Sequence, residues 1–406
     1  MLVLGAGPAG TAVAGALASR GLTVSQVDPH PDRGWPNRYG AWVDELRDLA
    51  LDHVAHTAWP RCELVVPDGG VIHIERGYAS VDGARLRDAL RDRGVVRRLS
   101  GSVAALEHHA GGTTALLTTG SSHRARLIVD ATGHQSPFVR RTGPPARAWQ
   151  IAYGAEHLVQ EAPYAPGAMR FMDWRPASEP DGDARPSFLY AMPLGEGRWF
   201  FEETLLIGDP PMGMARLQER LARRLEGDGV KSRPLEGEAC VEHCRIPMDP
   251  PMPALDQRVV GFGAAASFVH PATGYLLTRT LRAAGPLADA VEQGISAGHE
   301  PARVAREAWA AIWPSTLVEA AELLRFGARA LLGMDRAALG AFYRAFFSID
   351  ESAWRGYLTG DLPAGELARV MLAVFGASGA GIRWRLARHG LREPTSLLRG
   401  LRRLAG

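Results

Sequence analysis

One feature near the amino terminus constrains the fold more than any other. Leu2 to Leu4 is a short apolar run, followed by Gly5-Ala6-Gly7-Pro8-Ala9-Gly10 and a helical stretch to about Ser19. A second apolar run, Leu22 to Val27, ends in Asp28. The order is strand, glycine turn, helix, strand, acid. Gly5 permits the tight turn, Gly7 lets backbone N–H groups approach a pyrophosphate, and Gly10 lets helix and strand pack closely. Asp28 stands where a carboxylate would accept from ribose hydroxyls. Glycines alone can make a mere turn, but with its flanking strands and acid the segment reads as a dinucleotide site.

Two further glycine-bearing strand ends point to FAD over NAD. Arg124 to Asp130 reads as a strand running into Ala131-Thr132-Gly133, and Val259 to Gly263 as another running into Ala264-Ala265-Ala266. A helix is expected from about Gly274. A midway and a late glycine turn are the pattern of two-dinucleotide-fold FAD enzymes. The late turn normally carries Gly-Asp, with the Asp on the ribityl chain; here Ala264 stands there, leaving backbone N–H groups at a helix start to hold the cofactor. The expected architecture is α/β: a two-dinucleotide-binding-type FAD fold, p-hydroxybenzoate-hydroxylase-like, with an inserted β-sheet substrate domain and a helical C-terminal region. The FAD-binding domain is discontinuous, at 1–45, 78–142 and 256–297. The substrate domain takes 46–77 and 143–255, and the C-terminal helical region with its basic tail takes 298–406.

Particular elements are legible within these limits. Asp82 to Arg93 is an amphipathic helix with Leu86 and Leu90 four apart. Strands at about 95–107 and 113–119 form a meander before the Arg124 strand. The insertion carries strands at Trp149–Tyr153, Met169–Trp174, Phe188–Met192 and Trp199–Leu206. The end is helical at Pro301–Trp313, Thr316–Leu332, Arg336–Phe347 and Ala364–Phe375. Asp181-Gly182-Asp183 reads as a polar loop.

Composition excludes other classes. Of 406 residues, 46% are hydrophobic and 22% charged, which rules out disorder, collagen and coiled coil. A net charge of +2 gives no electrostatic case for nucleic acid. Three cysteines, Cys62, Cys240 and Cys244, cannot build a disulfide framework, which fits a cytoplasmic-side protein. Cys240 and Cys244 with His243 lack metal-ligand spacing and read as packing on an alternating strand, so no metal is expected. Lys231 is the sole lysine among 46 basic residues, a genomic composition bias. The longest uncharged run, Val259 to Thr278, holds three glycines, His270 and Pro271, and makes a poor transmembrane helix.

The chemistry concentrates in one hairpin. Phe188-Leu189-Tyr190-Ala191-Met192-Pro193 and Trp199-Phe200-Phe201-Glu202-Glu203-Thr204-Leu205 flank the turn Gly195-Glu196-Gly197. Neighbours on a strand point to opposite faces, so one of the two acids faces inward whichever register holds. Tyr190, Trp199, Phe200 and Phe201 surround them. A desolvated carboxyl favours its protonated form, and a neutral acid is what protonating an alkene requires. Ring faces nearby can stabilise a cation. On pattern alone, an edge strand with two solvated glutamates fits as well.

At this hairpin the chain resembles a known family. FFEET, within FLYAMP and WFFEETLL, is similar to the FLEET motif of the plant and cyanobacterial FAD-dependent lycopene β/ε-cyclases. Trp35-Pro36-Asn37-Arg38-Tyr39-Gly40-Ala41-Trp42-Val43-Asp44-Glu45 resembles the family's WPNNYGVWVDE, with Arg38 in place of a second Asn. Gln150 to Gly154, Phe171 to Arg175, Ile246 to Met248 and His270 to Tyr275 resemble its QVAYG, FMDWR, IPM and HPSTGY. Trp309–Pro314 and Phe346–Leu358 resemble its helical end. Nearly the whole chain is covered, and the family's late glycine motif also lacks the usual Asp.

The resemblance implies a carotenoid cyclase, an intramolecular lyase or isomerase without net redox. It would use reduced FAD, with NAD(P)H as reductant, to close the linear ψ-ends of lycopene or a related linear carotenoid, a β-ring being favoured. An acid protonates C2, the C5=C6 alkene closes on the C1 cation, and the carbon that then loses a proton sets the ring type. Glu202 matches the motif's essential acid, and Glu203 would support it. The cofactor would be held by Gly5, Gly7, Pro8, Ala9, Gly10, Asp28, Pro29, Asn37, Tyr39, Arg85, Ala131, Thr132, Gly133, Gly263, Ala264, Pro271, Gly274 and Tyr275. The substrate pocket would take Trp35, Trp42, Tyr190, Phe200, Phe201 and His270. His270 is read as ordering its loop more than relaying a proton. Asp44 and Glu45 could line the pocket or serve as helix N-terminal charge.

Such a substrate lives in a bilayer. Arg383, Arg385, Arg388, Arg392, Arg399, Arg402 and Arg403, interleaved with Trp384, Leu386, Leu397, Leu398, Leu401 and Leu404, suit anionic lipid; a frayed basic tail fits the same residues. The expected location is cytoplasmic and peripheral on the inner face of the cell membrane. Rival readings are a flavin monooxygenase or prenyl reductase of the same fold, which would consume NAD(P)H stoichiometrically, a cyclase of another prenyl chain, and a non-catalytic carotenoid or flavin carrier.

Overall fold

The fold is taken from a computed structural model, which describes residues 1–165, 167–177, 183–237 and 240–392. Five parallel strands form the dinucleotide sheet in the order Val259–Gly261, Ile128–Asp130, Leu2–Leu4, Val24–Asp28, Val96–Ser100. The first strand is central, and both its neighbours bury it: Leu2, Val3 and Leu4 are almost wholly inaccessible. Helix Pro8–Ala18 leaves it through Gly7, with Pro8 at the first turn, where a missing N–H costs nothing.

The glycines of this turn have distinct mechanical roles. Gly5 sits at φ 95°, and a Cβ there would lie 2.7 Å from the Ala131 carbonyl oxygen. A Cβ on Gly10 would lie 2.0 Å from the Gly5 carbonyl oxygen, so any side chain there drives helix from strand. Around Gly7 the space is open. The first two glycines close the turn, and the third leaves room for a ligand.

Two of the expected strands are each divided in two, one of them at a glycine. The expected run at 95–107 is two strands, Val96–Ser100 and Val103–His109, interrupted at Gly101 with φ 146°. The expected strand Arg124 to Asp130 is likewise two: Ser122–Ala125 closes a three-stranded meander with Val103–His109 and Gly112–Leu117, and Ile128–Asp130 enters the parallel sheet. Ala264 lies in a one-turn helix, Gly263–Ala266, and the long helix begins only at Leu277, running to Ser296.

The second layer is an eight-stranded sheet. Its path is Ser232–Pro234, Trp149–Val159, Arg198–Gly208, Phe188–Gly195, Ala168–Asp173, Arg61–Val65, Val71–Ile74, and Val241–Pro247 also pairs with Trp149–Val159. A smaller sheet joins Tyr39–Trp42, Tyr78–Val81 and Ala55–Trp59. One helix within this region, Met214–Gly227, escaped the sequence reading; it packs on the sheet with Leu217, Leu221 and Leu225 buried. Helices Pro301–Ile312, Ser315–Leu332, Arg336–Phe346, Glu351–Thr359, Ala364–Ala377 and Ala380–Arg392 complete the described residues, the fourth and sixth being additions to the expected set. Of the polar loop, Asp181 and Gly182 lie outside the described residues, as do the tail residues Leu397, Leu398, Arg399, Leu401, Arg402, Arg403 and Leu404.

The close helix–strand approach at Gly10 yields a test. Gly10→Ala should cost about 3 kcal/mol or more of stability, because the two contacts under 3.0 Å are with the Gly5 backbone, which cannot swing aside as a side chain would. Urea denaturation against the unsubstituted chain measures it.

Candidate functional site

The site is a cavity of about 410 Å³ between the parallel sheet and the eight-stranded sheet. At one end lie Gly7, Pro8, Ala9, Ala131, Gly133 and Ala264; at the other, Glu202 with Tyr190 and Phe200. Asn37, Tyr39, Gly274 and Tyr275 line it between.

The first end has the properties of a dinucleotide cradle. Backbone at Gly7 and Gly133 has open space where a side chain would stand. The helix from Pro8 presents its positive end there, which favours an anionic group. Asp28 is committed to the loop: Oδ2 accepts from the Ala6 N–H at 2.8 Å and Oδ1 from the His30 N–H at 2.7 Å. Thr132 is likewise engaged, donating through its N–H and hydroxyl to Asp130. Gly263, at φ 63°, packs on Ala9 just behind the lining. These residues fit a bound dinucleotide at the turn.

Strand alternation decides the fate of the two acids. On strand Arg198–Gly208, Glu202 and Phe200 line the cavity, and the Glu202 Oε1 accepts from the hydroxyl of Thr204, on the same strand face, at 2.8 Å. Glu203 faces the other way and is fully buried. Its carboxylate takes two bonds from Arg224, at 2.7 and 2.8 Å, and one from the Ser187 hydroxyl at 2.6 Å. Glu203 therefore does not support Glu202: it ties helix Met214–Gly227 to the back of the sheet.

Sheet register brings in a third acid that the sequence reading missed. Gly154 pairs with Glu202 on one side and with Glu242 on the other. The row Tyr190, Glu202, Gly154, Glu242 thus crosses four strands on one face. Gly154 has no side chain to separate the acids, and a Cβ there would lie 2.3 Å from the Phe200 ring. Glu202, Glu242 and Cys244 bring an oxygen or sulfur each within 4.8 Å of one another. One row further, Thr204 donates to Glu202 and the Cys244 thiol donates to Glu242 at 3.3 Å. Cys244, expected as packing, lines the cavity.

Electrostatics separates the pair. Burial, then the neighbouring Glu242 carboxyl, pushes the Glu202 carboxyl up to about 8, and the Thr204 hydrogen bond offsets only part. Glu242 is also held above the usual carboxylate range by burial, but the Cys244 thiol, the Arg38 N–H and the Arg38 guanidinium pull it back down. Arg38 donates its backbone N–H to Glu242 at 3.1 Å, pairs its guanidinium with Glu156 and lies 4.9 Å from the Phe200 ring centre. This departure from the familiar motif therefore stands inside the site.

Several expected site residues lie elsewhere. Phe201 is on the back face with Trp199 and Leu221. Trp42 is packed under Arg76 and against Tyr78 and Phe171. Trp35 gives its indole N–H to the Ala6 carbonyl at 2.8 Å, behind the glycine turn. His270 is buried, with Nε2 3.0 Å from the Tyr357 carbonyl, and burial lowers it to about 4, so it is neutral at physiological pH and orders its loop. Pro271 follows it outside the lining. Pro29 accepts from the Ser100 hydroxyl in a separate surface hollow. Arg85 is on the surface, paired with Asp82 and donating to the Ala55 carbonyl. Asp44 and Glu45 occupy the first turn of helix Val43–Asp48 and pair with Arg76, Glu45 also with Arg282.

A second, narrower cavity of about 100 Å³ shares Tyr190, Thr273 and Tyr275 with the first. Its walls are apolar: Phe171 and Leu206 from the sheet, then Phe326, Phe346, Met371 and Leu386 from the C-terminal helices.

Comparison with known proteins adds the following. The family model described as lycopene cyclase protein matches residues 1–383. A lycopene beta cyclase of Synechococcus elongatus is 38% identical over 403 residues, covering 97% of this chain and 96% of its own length. A Deinococcus radiodurans protein described as an uncharacterized carotenoid cyclase is 36% identical over 406 residues, covering 100% of this chain and 97% of its own. Among solved structures, a geranylgeranyl bacteriochlorophyll reductase-like protein of Thermoplasma acidophilum superposes with TM-score 0.70 at 14% identity, covering 88% of this chain and 94% of that one. A flavin-dependent brominase superposes with TM-score 0.58 at 17% identity, covering 89% and 93%. At such identities the structural likeness establishes the fold alone.

The two acids should respond oppositely to substitution. Glu203→Ala strands the buried Arg224 guanidinium and should cost about 3–5 kcal/mol of stability. Glu202→Gln removes no ion-paired charge and should change the unfolding free energy by less than about 1 kcal/mol. Urea titration of both variants checks this.

Proposed function

The chain belongs to the lycopene cyclase family, and from that premise we propose that Glu202 is the acid that starts ring closure of a linear carotenoid end. The observation that carries the assignment is a carboxyl placed in a cavity lined by aromatic rings, where burial and a neighbouring acid push it towards its protonated form. Ring closure is an isomerisation: no electron leaves or enters the substrate. What it needs is a strong enough acid, room for a cation, and exclusion of water.

Each need has a residue. Glu202 hands its proton to C2 of the end group, leaving a tertiary cation at C1. The ring faces of Tyr190, Phe200 and Tyr275 lie around the place where that cation forms. Their phenols are held neutral by burial, so the two tyrosines act as aromatic walls. Thr204 orients the Glu202 carboxyl through its hydroxyl.

The glycine turn, Ala131, Gly133 and Ala264 would hold FAD, with Asn37 and Tyr39 along its length. In its reduced form, with NAD(P)H as the reductant, the flavin would supply negative charge beside the developing cation. The narrow cavity suits the polyene: an end group at Glu202 leaves its chain running past Tyr190 and Tyr275 between Phe171 and the C-terminal helices.

Leu386, on the inner side of helix Ala380–Arg392, is part of that cavity's lining. The outer side carries Trp384, 62% exposed, and Leu391, 80% exposed, with Arg388 over the Trp384 ring. Residues 384, 388 and 391 share one helical face. We read this face as the contact with the cytoplasmic side of an anionic membrane, where the substrate is dissolved. No described helix is long and apolar enough to cross a membrane.

Two measurements test this reading. Glu202→Gln should abolish cyclisation of lycopene by anaerobic enzyme with reduced FAD, at normal flavin content. In the unsubstituted enzyme, activity should fall as pH rises through about 8, where the Glu202 proton is lost; product chromatography across pH follows both. The double variant Trp384→Glu, Leu391→Glu should weaken sedimentation with phosphatidylserine-containing vesicles by about tenfold or more. Its cyclisation in detergent should be unchanged, since neither residue lines the cavities.

A further inference from the structure

Glu242 is unused in the account so far, yet it is the nearest ionisable neighbour of the acid. It lies 40 residues on, on strand Val241–Pro247, and reaches Glu202 across Gly154. It lines the same cavity, so it can touch the same end group. We propose that Glu242 is the base that completes ring closure, taking the proton the substrate must lose and returning it to Glu202; this rests on the cyclase reading of the site.

Three observations carry the proposal. The first is spacing. C2, which gains a proton, and C6, which loses one for a β-ring, are both bonded to C1. An acid and a base within 4.8 Å of each other on one wall can address both carbons of a single forming ring.

The second is the division of charge. Two buried carboxyls this close hold one proton between them, because two adjacent anions repel in a medium of low polarity. The groups facing each acid decide which keeps it. Among the described residues, Glu202 receives only the Thr204 hydroxyl bond. Glu242 receives the Arg38 N–H and the Cys244 S–H and feels the Arg38 guanidinium, with neutral Tyr39 beside it. Each of those donors favours an anion at Glu242. The shared proton therefore sits on Glu202 in preference to Glu242.

The third is conservation of protons. Glu202 gives its proton to C2. The C5=C6 π pair forms the C1–C6 bond and moves the cation to C5. The Glu242 carboxylate removes the proton on C6, and that C–H pair becomes the new C5=C6 double bond. The site now holds ionised Glu202 and protonated Glu242, and transfer between the two restores the starting state. No oxidant, reductant or net proton is consumed.

The same geometry makes Glu242 the residue that selects the ring. Loss of a proton from C4 gives an ε-ring and from the C5 methyl an exocyclic alkene, so the position of the base relative to C6 fixes the product.

The test uses full-length enzyme, reduced FAD and lycopene in detergent micelles under anaerobic conditions. Glu242→Gln should lower kcat about hundredfold or more with KM and flavin content unchanged, and divert residual product toward ring isomers other than that of the unsubstituted enzyme. Glu242→Asp should recover part of the rate and the original isomer. Unsubstituted rate and isomer composition in Glu242→Gln would overturn the proposal while leaving Glu202 as the acid. If that variant does not fold, the pH profile of the unsubstituted enzyme decides. An acid limb from Glu242 and an alkaline limb from Glu202 support the pair, and an alkaline limb alone overturns it. Failure of the unsubstituted enzyme to form any ring would sink the cyclase reading itself, a result distinct from both.

Discussion

The proposed function rests on a carboxyl group that, among the described residues, has no cation beside it. Elsewhere on the same sheet acids are neutralised: Glu203 by Arg224, Glu156 by Arg38 and Arg198, Asp173 by Arg170 and Arg175. Glu202 is given a hydroxyl and a second acid instead. An arginine at that place would lower its proton affinity and turn the acid into a spectator. The arginine-rich composition makes the contrast sharper, since a guanidinium is the default partner for a buried acid in this chain.

Much of this was legible in the sequence. Period-2 alternation required that one acid of Glu202 and Glu203 face inward, and the resemblance to the FLEET motif singled out the first. The glycine turn, the parallel sheet, the strand-rich insertion and the helical end follow from local rules that act over a few residues. What stayed hidden was long-range register. Glu242 and Glu202 are neighbours because two strands far apart in sequence pair with opposite edges of Trp149–Val159 at Gly154. No local pattern encodes that meeting. A glycine in mid-strand was the available hint, since it marks a place where something else needs the space. Aromatic residues misled for a related reason: Trp42, Phe201 and Trp35 have the composition of a pocket wall, but face the core or the back of the glycine turn.

The fold is shared with proteins that carry out flavin redox chemistry, so the sheet order and the glycine cradle cannot by themselves distinguish a hydride or oxygen reaction from an isomerisation. The distinction lies in the second sheet. The row Tyr190, Glu202, Gly154, Glu242 is a proton-handling surface facing the cofactor end of one cavity. On the proposed reading it would supply what an acid-catalysed ring closure requires at every step and leave the cofactor end to contribute charge.

The two cavities suggest why such a surface can be both wet enough to exchange protons and dry enough to hold a cation. The wider one, at 410 Å³, contains all the titratable groups of the row. The narrower, at 100 Å³, is walled by aliphatic and aromatic side chains and meets it at Tyr190 and Tyr275. A rod-shaped polyene filling the narrow passage would close the wide cavity from the helical side, so the substrate itself would complete the exclusion of water. Desolvation would then be greatest with substrate in place, which strengthens both the protonated state of Glu202 and the attraction between cation and ring faces when each is needed.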